Sequence, residues 1–223
     1  MAPGVAAHVV QRGVNRQRCF QGDSDYLVYL SILGEALERS GCALHSYCLM
    51  SNHVHLLVTP PGELACSRLM YEVGQRYVPY FNRRHTRTGT LWEGRFRSCL
   101  VDSREYVLAC YRYVELNPVR AAMVDSASSY RWSSHHGNIG LREDRLLTGH
   151  PEYLALADAA GSRHASYRQF CADVESAQFL SAVRDATNTG IPLAGESLKL
   201  QLARNGSRIQ RGKPGPSAAR SAH

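Results

Sequence analysis

The chain has 223 residues, seven cysteines and a formal net charge of +7 at pH 7, a length that accommodates one domain with an extension or two small domains. No apolar run reaches the roughly 18 residues of a membrane-spanning helix, and no basic region followed by an apolar one marks a secretory signal, so we expect a cytoplasmic protein. The cysteines form no C-x-x-C pair, which argues against a zinc ribbon and against a disulfide framework.

The chain begins with a predicted strand and a predicted long helix. Residues 6–11 form an apolar run typical of a strand, and residues 12–16 form a polar loop after it. Residues 23–40 have helical periodicity, and the following Gly41 predicts the end of this helix. The apolar side chains of the helix recur at spacings of four and three, at Tyr26, Leu30, Leu33 and Leu37.

Two strands and a second helix are predicted next. Residues 43–50 and 53–59 are apolar runs typical of strands, and the Pro-Pro-Gly run at 60–62 ends the second of them. Residues 64–84 predict a helix. Pro79 should distort this helix, because proline lacks an N–H and clashes with the preceding turn.

A fourth strand and a third helix complete an ordered set of elements. Residues 90–101 predict the strand and residues 102–116 the helix, with Pro118 just beyond its end. The order strand–helix–strand–strand–helix–strand is that of the ferredoxin-like α+β fold. We therefore expect an antiparallel βαββαβ sheet with helices on one face and the other face available, followed by an added helix.

His53 and His55 are the most informative pair of residues in the sequence. They lie two residues apart in a predicted strand, so their side chains point to the same face of the sheet. Two neighbouring imidazoles suit a divalent first-row metal. A pair of histidines on a solvated strand face is the alternative, and the spacing alone does not decide between the two.

Two tyrosines in the third helix are candidate nucleophiles for metal-dependent phosphoryl transfer. Asn117 follows Tyr113 by one helical turn, and Glu115 follows Tyr111 in the same way; a carboxylate is the better ligand for a hard cation. Tyr113 and Asn117 share the mostly apolar side of the helix, which should face the sheet and the histidines. We therefore favour Tyr113, whose alternative role is that of a core aromatic residue with a buried hydroxyl.

The basic residues are concentrated in one part of the chain. Between residues 76 and 97 the sequence has six arginines and one acidic residue, and the arginines are Arg76, Arg83, Arg84, Arg87, Arg95 and Arg97. Five aromatic residues lie among them: Tyr77, Tyr80, Phe81, Trp92 and Phe96. Arginines neutralise phosphates and aromatic rings stack on bases, so the cluster favours single-stranded or hairpin nucleic acid as the partner. A solvated amphipathic helix followed by a strand is the alternative.

Four segments, in order within residues 8–135, resemble a known family: QRGVNRQ at 11–17, YCLMSNHVHLL at 47–57, FNRRH running into GTLWEGRF at 81–96, and YVELNPVR at 113–120. They resemble the HUH single-tyrosine, IS200-like transposases, and specifically the REP-associated tyrosine transposases of bacteria. The resemblance implies a catalytic domain over residues 1–125. Residues 126–203 then form a helical C-terminal extension, and residues 204–223, a basic segment without acidic residues, are predicted to be disordered.

The resemblance implies a chemistry as well as a fold. It implies that a divalent metal, Mg²⁺ or Mn²⁺, is held by His53, His55 and Asn117. It also implies that Tyr113 cleaves single-stranded DNA near palindromic hairpins, the repeated extragenic palindromes, and forms a 5′-phosphotyrosine. DNA contacts are expected from one tryptophan, Trp92, and from eight arginines of the cluster and the motifs: Arg12, Arg16, Arg83, Arg84, Arg87, Arg95, Arg97 and Arg120.

Other functions stay open at this point. A domesticated descendant would bind hairpin DNA or RNA without cleaving it, although such a protein does not need His53, His55, Tyr113 and Asn117. HUH replication initiators and relaxases tend to be larger, and the segments fit the transposases better. We expect no membrane partner, and we favour a monomer over a dimer. His8 is expected to be structural or to contact DNA.

Overall fold

The computed structural model describes residues 1–102, 104–173, 176–193 and 195. The basic tail predicted for residues 204–223 lies outside these described residues. In the part of the chain that the structure describes, no helix is both long enough and apolar enough to cross a bilayer.

The first six long elements build a four-stranded sheet and one layer of helices: β1 (Ala6–Arg12), α1 (Asp23–Ser40), β2 (Ala43–Met50), β3 (His53–Thr59), α2 (Ala65–Arg84) and β4 (Arg97–Val101). The strands lie in the order β2-β3-β1-β4, and each neighbouring pair is antiparallel. This is the ferredoxin-like α+β arrangement, so the predicted fold class is confirmed. The bounds of α1, β2 and β3 agree with the sequence prediction, and α2 continues through Pro79.

Within the described residues, six further α-helices follow β4: α3 (Arg104–Glu115), α4 (Asn117–Arg120), α5 (His135–Asn138), α6 (Pro151–Leu154), α7 (Ala160–Ala172) and α8 (Ala177–Thr189). The helical C-terminal region is thus present, as predicted. Its buried residues, among them Tyr153, Tyr167 and Val183, belong to the same hydrophobic core as the sheet.

The fourth strand is shorter than predicted, because it begins at Arg97 and not at residue 90. The residues before it lie opposite the end of β1 and the loop after it, where Trp92 pairs with Gly13 in an antiparallel bridge. The N–H of Val14 donates to the carbonyl of Leu91, and the N–H of Glu93 donates to the carbonyl of Arg12. This pairing is two residues out of register with the β1–β4 ladder, in which Val10 pairs with Arg97.

Helices cover both faces of the sheet. Val9 and Leu56 alternate with the histidines and are fully buried on one face, and α1 packs on both α2 and β2. The opposite face carries His8 and His55, where α3 contacts β2, β3 and β4 while α8 contacts β1 and β4. The sequence predicted that this second face would be available, whereas the structure covers it with both α3 and α8.

Candidate active site

His53 and His55 lie on β3, an interior strand between β2 and β1. Their ring centroids are 4.8 Å apart. His55 is only 5% exposed, and His53 is half-buried. The pair therefore lies on an enclosed face of the sheet, not on a solvated one.

Each histidine of the pair uses its Nδ1 atom for a hydrogen bond within the protein. The Nδ1 of His53 lies 2.6 Å from Oδ1 of Asn52, which can only accept, so this nitrogen carries the proton. The Nδ1 of His55 lies 2.9 Å from Nε2 of His8. Nε2 of His55 is buried and has no hydrogen-bond partner among the described residues. With the proton of His55 on Nδ1, this nitrogen keeps a lone pair that suits a metal.

Burial lowers the pKa of all three imidazoles in this cluster. The pKa of His8 falls to about 3 and that of His53 to about 4, while the pKa of His55 lies well below its ordinary value. The guanidinium groups of Arg12 and Arg120 act in the same direction, because they disfavour a further positive charge. All three rings are therefore neutral at neutral pH, which is the form that binds metals.

Tyr113 packs edge-on against this histidine cluster. Its ring centroid is 5.7 Å from that of His8 and 6.1 Å from that of His55. The guanidinium of Arg120 lies over the ring at 4.3 Å, and the guanidinium of Arg184 of α8 lies close to the hydroxyl. Burial raises the pKa of Tyr113, and the two arginines partly oppose this rise. The hydroxyl is therefore protonated at neutral pH, with two cations beside it.

Asn117 begins α4, just beyond the end of α3 at Glu115. Its side-chain nitrogen donates to the carbonyls of Tyr113, at 3.0 Å, and Val114, at 3.2 Å. These bonds satisfy two carbonyl groups at the end of α3. They fix the amide beside Tyr113, and its role as a metal ligand stays a prediction.

The predicted DNA-binding arginines divide into two groups on the surface. Arg83 and Arg84 are exposed in the last turn of α2, and Arg16 is exposed in the loop after β1. Arg87 donates to the side-chain oxygen of Gln17 at 3.4 Å and so joins these two segments.

The second group of arginines lies closer to the histidines. Arg12, Arg95 and Arg97 line a surface cavity together with Thr187 and Asn188 of α8. Arg97 donates to the side-chain oxygen of Asn188 at 2.9 Å. Arg12 pairs directly with His53 across the β1–β3 ladder, which places positive charge at the edge of the histidine cluster.

Trp92 does not belong to this exposed surface. It is 8% exposed, and its ring lies 6.2 Å from that of Tyr77. Tyr77 and Phe81 are themselves fully buried. The aromatic residues of an amphipathic helix turn inward while its arginines turn outward, so the interleaved sequence pattern here reflects packing. The burial of Trp92 corrects its prediction as a DNA-binding residue.

A family model described as "Transposase IS200 like" matches residues 2–117, which is more than half of the chain. The chain belongs to the IS200-like transposase family. The match covers the sheet, the histidine pair, Tyr113 and Asn117, and it ends before the C-terminal region.

A comparison with solved structures finds proteins similar to this IS200-like transposase. One is a REP-associated tyrosine transposase bound to a REP hairpin, with a TM-score of 0.54 and 14% identity over 68% of this chain and 88% of that one. Another is a protein from Deinococcus radiodurans R1 described as a transposase, with a TM-score of 0.38 and 19% identity over 49% of this chain and 88% of that one. A comparison with curated proteins finds no match.

In this IS200-like transposase, Tyr111 lies on the other side of α3 and is fully buried. Its hydroxyl accepts a hydrogen bond from the N–H of His150 at 3.0 Å, and its ring stacks on Tyr153 at 5.5 Å. The C-terminal region thus encloses Tyr111 within the core, away from the histidine pair that contacts Tyr113.

Glu115 is also fully buried, and its carboxylate is the centre of a hydrogen-bond network. Four side chains donate to it at 3.0 Å or less: Ser134 and Asn138 at 2.6 Å, and His135 and Tyr167 at 3.0 Å. A carboxylate with this many donors is satisfied by the protein alone.

Glu115, His135 and Cys171 also form a group that could hold a metal ion, since one ligand atom from each lies within 4.8 Å of the others. A metal there would have to displace the hydrogen bonds that already fill both carboxylate oxygens. The unbonded Nε2 of His55 makes the pair on β3 the better fit for a metal.

The sequence does not predict three of the residues that build the site, and it predicts His8 only as a structural or DNA-contacting residue. Asn52 holds His53, His8 holds His55, Thr187 contacts His8, and Arg184 contacts Tyr113. Strand alternation puts residue 8 on the same face as its cross-strand neighbours, so the β1–β3 register would have identified His8. No sequence signal connects α8 to the site.

Proposed function

We propose that this chain is a REP-associated tyrosine transposase, a metal-dependent single-strand DNA endonuclease and strand transferase. In this proposal it binds hairpin DNA of the repeated extragenic palindromes and cleaves through a 5′-phosphotyrosine on Tyr113. One observation carries the proposal: Tyr113 packs against His55, whose buried Nε2 has no partner among the residues that the structure describes. If these histidines had only a structural role, that buried nitrogen would have a hydrogen-bond partner within the protein.

The residues present fit a divalent metal, Mg²⁺ or Mn²⁺. His53 and His55 are neutral, and both have Nδ1 occupied by a protein partner, which is the arrangement of metal-binding histidines. Asn117 supplies a third ligand in this proposal. When bound, such a metal polarises the scissile phosphate and offsets the charge that develops during cleavage.

Tyr113 is the nucleophile in this proposal. Its hydroxyl oxygen forms a bond to phosphorus while the bond from phosphorus to the 3′ oxygen breaks. The proton that the tyrosine hydroxyl loses is balanced by the proton that the 3′ oxygen gains as it becomes a 3′-hydroxyl. Arg120 and Arg184 lower the free energy of the developing phenolate, because both place positive charge beside the ring and its hydroxyl. Reversal of the same step rejoins strands without an external energy source.

Hairpin DNA is the partner that the surface arginines support best. Arg16, Arg83 and Arg84 are exposed around one end of α2, and Arg95 and Arg97 are exposed beside the histidine cluster. Guanidinium groups bind phosphates in a bidentate manner. The solved transposase of similar fold carries a REP hairpin, which supports the same partner for this chain.

The test is a nicking assay on a labelled single-stranded hairpin, with Mg²⁺ or Mn²⁺ and with a chelator. We expect His53→Ala to lose cleavage and to keep hairpin binding in a gel shift, because binding energy comes mainly from arginines. His136→Ala is the matched control, since the His136 ring bonds the Ser128 carbonyl away from the site and its loss should leave cleavage unchanged. Full nicking by His53→Ala would contradict the proposal, and hairpin binding without any nicking by the wild-type chain would support the domesticated alternative.

A further inference from the structure

Helix α8, from the C-terminal region, places one buried hydroxyl beside the histidine cluster. Thr187 is 7% exposed, and its Oγ1 lies 2.9 Å from Nδ1 of His8. His8 in turn contacts Nδ1 of His55 at 2.9 Å through Nε2. A continuous chain of hydrogen bonds therefore runs from α8 to the ring of His55.

The direction of these hydrogen bonds follows from the far end of the chain. The Oγ1 of Thr187 lies 2.8 Å from the carbonyl of Val183, which can only accept. With its single proton donated there, the hydroxyl can only accept from His8. His8 must then carry its proton on Nδ1, which leaves Nε2 as an acceptor. That acceptor requires the proton of His55 on Nδ1, so Nε2 of His55 keeps its lone pair.

The opposite arrangement would block metal binding. If His8 carried its proton on Nε2, it would donate to Nδ1 of His55, and His55 would then carry its own proton on Nε2. A protonated Nε2 cannot be a metal ligand. The Thr187 hydroxyl is the group that selects between these two arrangements, because it offers His8 an acceptor and no donor.

We propose that α8 is a working part of the metal site, in which Thr187 and His8 are positioning residues that hold His55 in its metal-binding tautomer. This inference rests on the proposed function, because it takes His55 as a ligand. It gives the C-terminal region a role at the site beyond packing, although the family match ends at residue 117. Partners of this kind typically change metal affinity by about 10–100-fold when they are removed.

The experiment compares Thr187→Val with Thr187→Ser in the full-length chain. Valine keeps the shape of threonine without the acceptor, and serine keeps the hydroxyl. NMR of ¹⁵N-histidine in metal-free protein reports the tautomer, and EPR titration with Mn²⁺ reports affinity. We expect Thr187→Val to lose the Nδ1-protonated state of His55 and to bind Mn²⁺ about tenfold more weakly or worse. Thr187→Ser should match the wild type within about twofold.

The outcomes separate this inference from the function on which it rests. An unchanged tautomer and unchanged Mn²⁺ affinity in Thr187→Val would overturn the role of α8 and leave the proposed function intact. Failure of the wild-type chain to bind Mn²⁺ in a His53-dependent way would overturn the proposed function itself, while the tautomer measurement would still decide the hydrogen-bond chain. If Thr187→Val does not fold, Thr187→Ala removes the same oxygen without adding a methyl group and carries the same expectation.

Discussion

The two sides of helix α3 carry similar residue types, but their buried polar groups differ in how many hydrogen-bond partners they have. On one side Tyr113 contacts His8 and His55, and on the other side Tyr111 and Glu115 lie among tyrosines and histidines of the C-terminal region. Both sides combine a tyrosine, neighbouring imidazoles and a polar residue one turn later. On the Glu115 side the carboxylate has four donors within 3.0 Å. On the Tyr113 side Nε2 of His55 has none in the part of the chain that the structure describes.

This difference separates a candidate active site from a polar core. Buried polar groups are hydrogen-bonded unless an unpaired group serves a function or meets a water or an ion. The carboxylate on the Glu115 side has all its hydrogen bonds within the protein, so it needs no water or ion as a partner. The imidazole on the Tyr113 side carries an unmet lone pair next to a hydroxyl and two guanidinium groups. The residue types alone do not distinguish the two sides, and the hydrogen-bond partners do.

The largest expected effect is the complete loss of the covalent protein–DNA adduct in Tyr113→Phe. This change deletes the attacking oxygen and keeps the packing of the ring against His8 and His55. Tyr111→Phe should keep the adduct, because its hydroxyl is enclosed in the core and bonds the N–H of His150. Denaturing gels with labelled DNA detect the 5′-phosphotyrosine. An adduct that survives in Tyr113→Phe and disappears in Tyr111→Phe would reverse the comparison between the two sides.

Glu115→Ala tests the structural side of the helix. Four buried donors lose their acceptor, so we expect the free energy of unfolding to fall by about 3–5 kcal/mol, measured by denaturant titration. The Mn²⁺ affinity of the protein that remains folded should not change. Glu143→Ala is the matched control, since Glu143 has an 80% exposed side chain paired with Arg145, and it should cost less than about 0.5 kcal/mol. Loss of Mn²⁺ binding in Glu115→Ala would make the Glu115 side the metal site.

Replacement of Arg83, Arg84 and Arg87 by alanine tests whether the end of α2 binds the DNA that Tyr113 is proposed to cleave. For each of these arginines that binds a phosphate, its removal should reduce the slope of log affinity against log salt by roughly 0.7–0.9. Hairpin affinity measured at several salt concentrations gives the slope. An unchanged slope would place this end of α2 away from the DNA.

A matched triple variant controls for the change in net charge. Arg39, Arg142 and Arg145 are also exposed, and they lie outside the motif segments and the arginine cluster. Their joint replacement removes the same charge and should leave the salt slope close to that of the wild type.

The smallest expected effect is a pH dependence of stability on the Tyr111 side. His45 is buried, bonded to the Thr148 carbonyl and the Thr59 hydroxyl at 2.7 Å each, and burial lowers its pKa to about 4. Between about pH 6.5 and pH 4 the unfolded chain binds the extra proton and the folded chain does not, so stability falls as the pH falls through this window. His45→Gln should flatten the dependence by up to about 1.4 kcal/mol per pH unit, measured by denaturant titration at pH 7, 6 and 5. An identical pH profile in the variant would mean that His45 is protonated as easily in the folded chain as in water.

The sequence by itself determined the order of the elements and the placement of the histidine pair. Periods of two and about 3.6 residues are local properties, so they predicted α1, β2 and β3 and put His53 and His55 on one face. Local pattern predicted one continuous strand where the pairing with β1 changes register. The strand predicted from residue 90 starts only at Arg97, and residues 91–93 lie against the end of β1 and the loop after it, two residues out of register with the β1–β4 ladder.

Only the tertiary structure decided which polar groups are satisfied and by which partner. In the sequence, Asn117 follows Tyr113 and Glu115 follows Tyr111 at the same spacing of four residues. In the structure, packing against the C-terminal region buries Glu115 and supplies its hydrogen-bond donors. Trp92 packs against the buried Tyr77 of α2, which a list of interleaved residues does not reveal. Thr187 lies 132 residues from His55 in the numbering and meets it through His8, since a hydrogen bond depends on distance and direction in space and leaves no trace in sequence spacing.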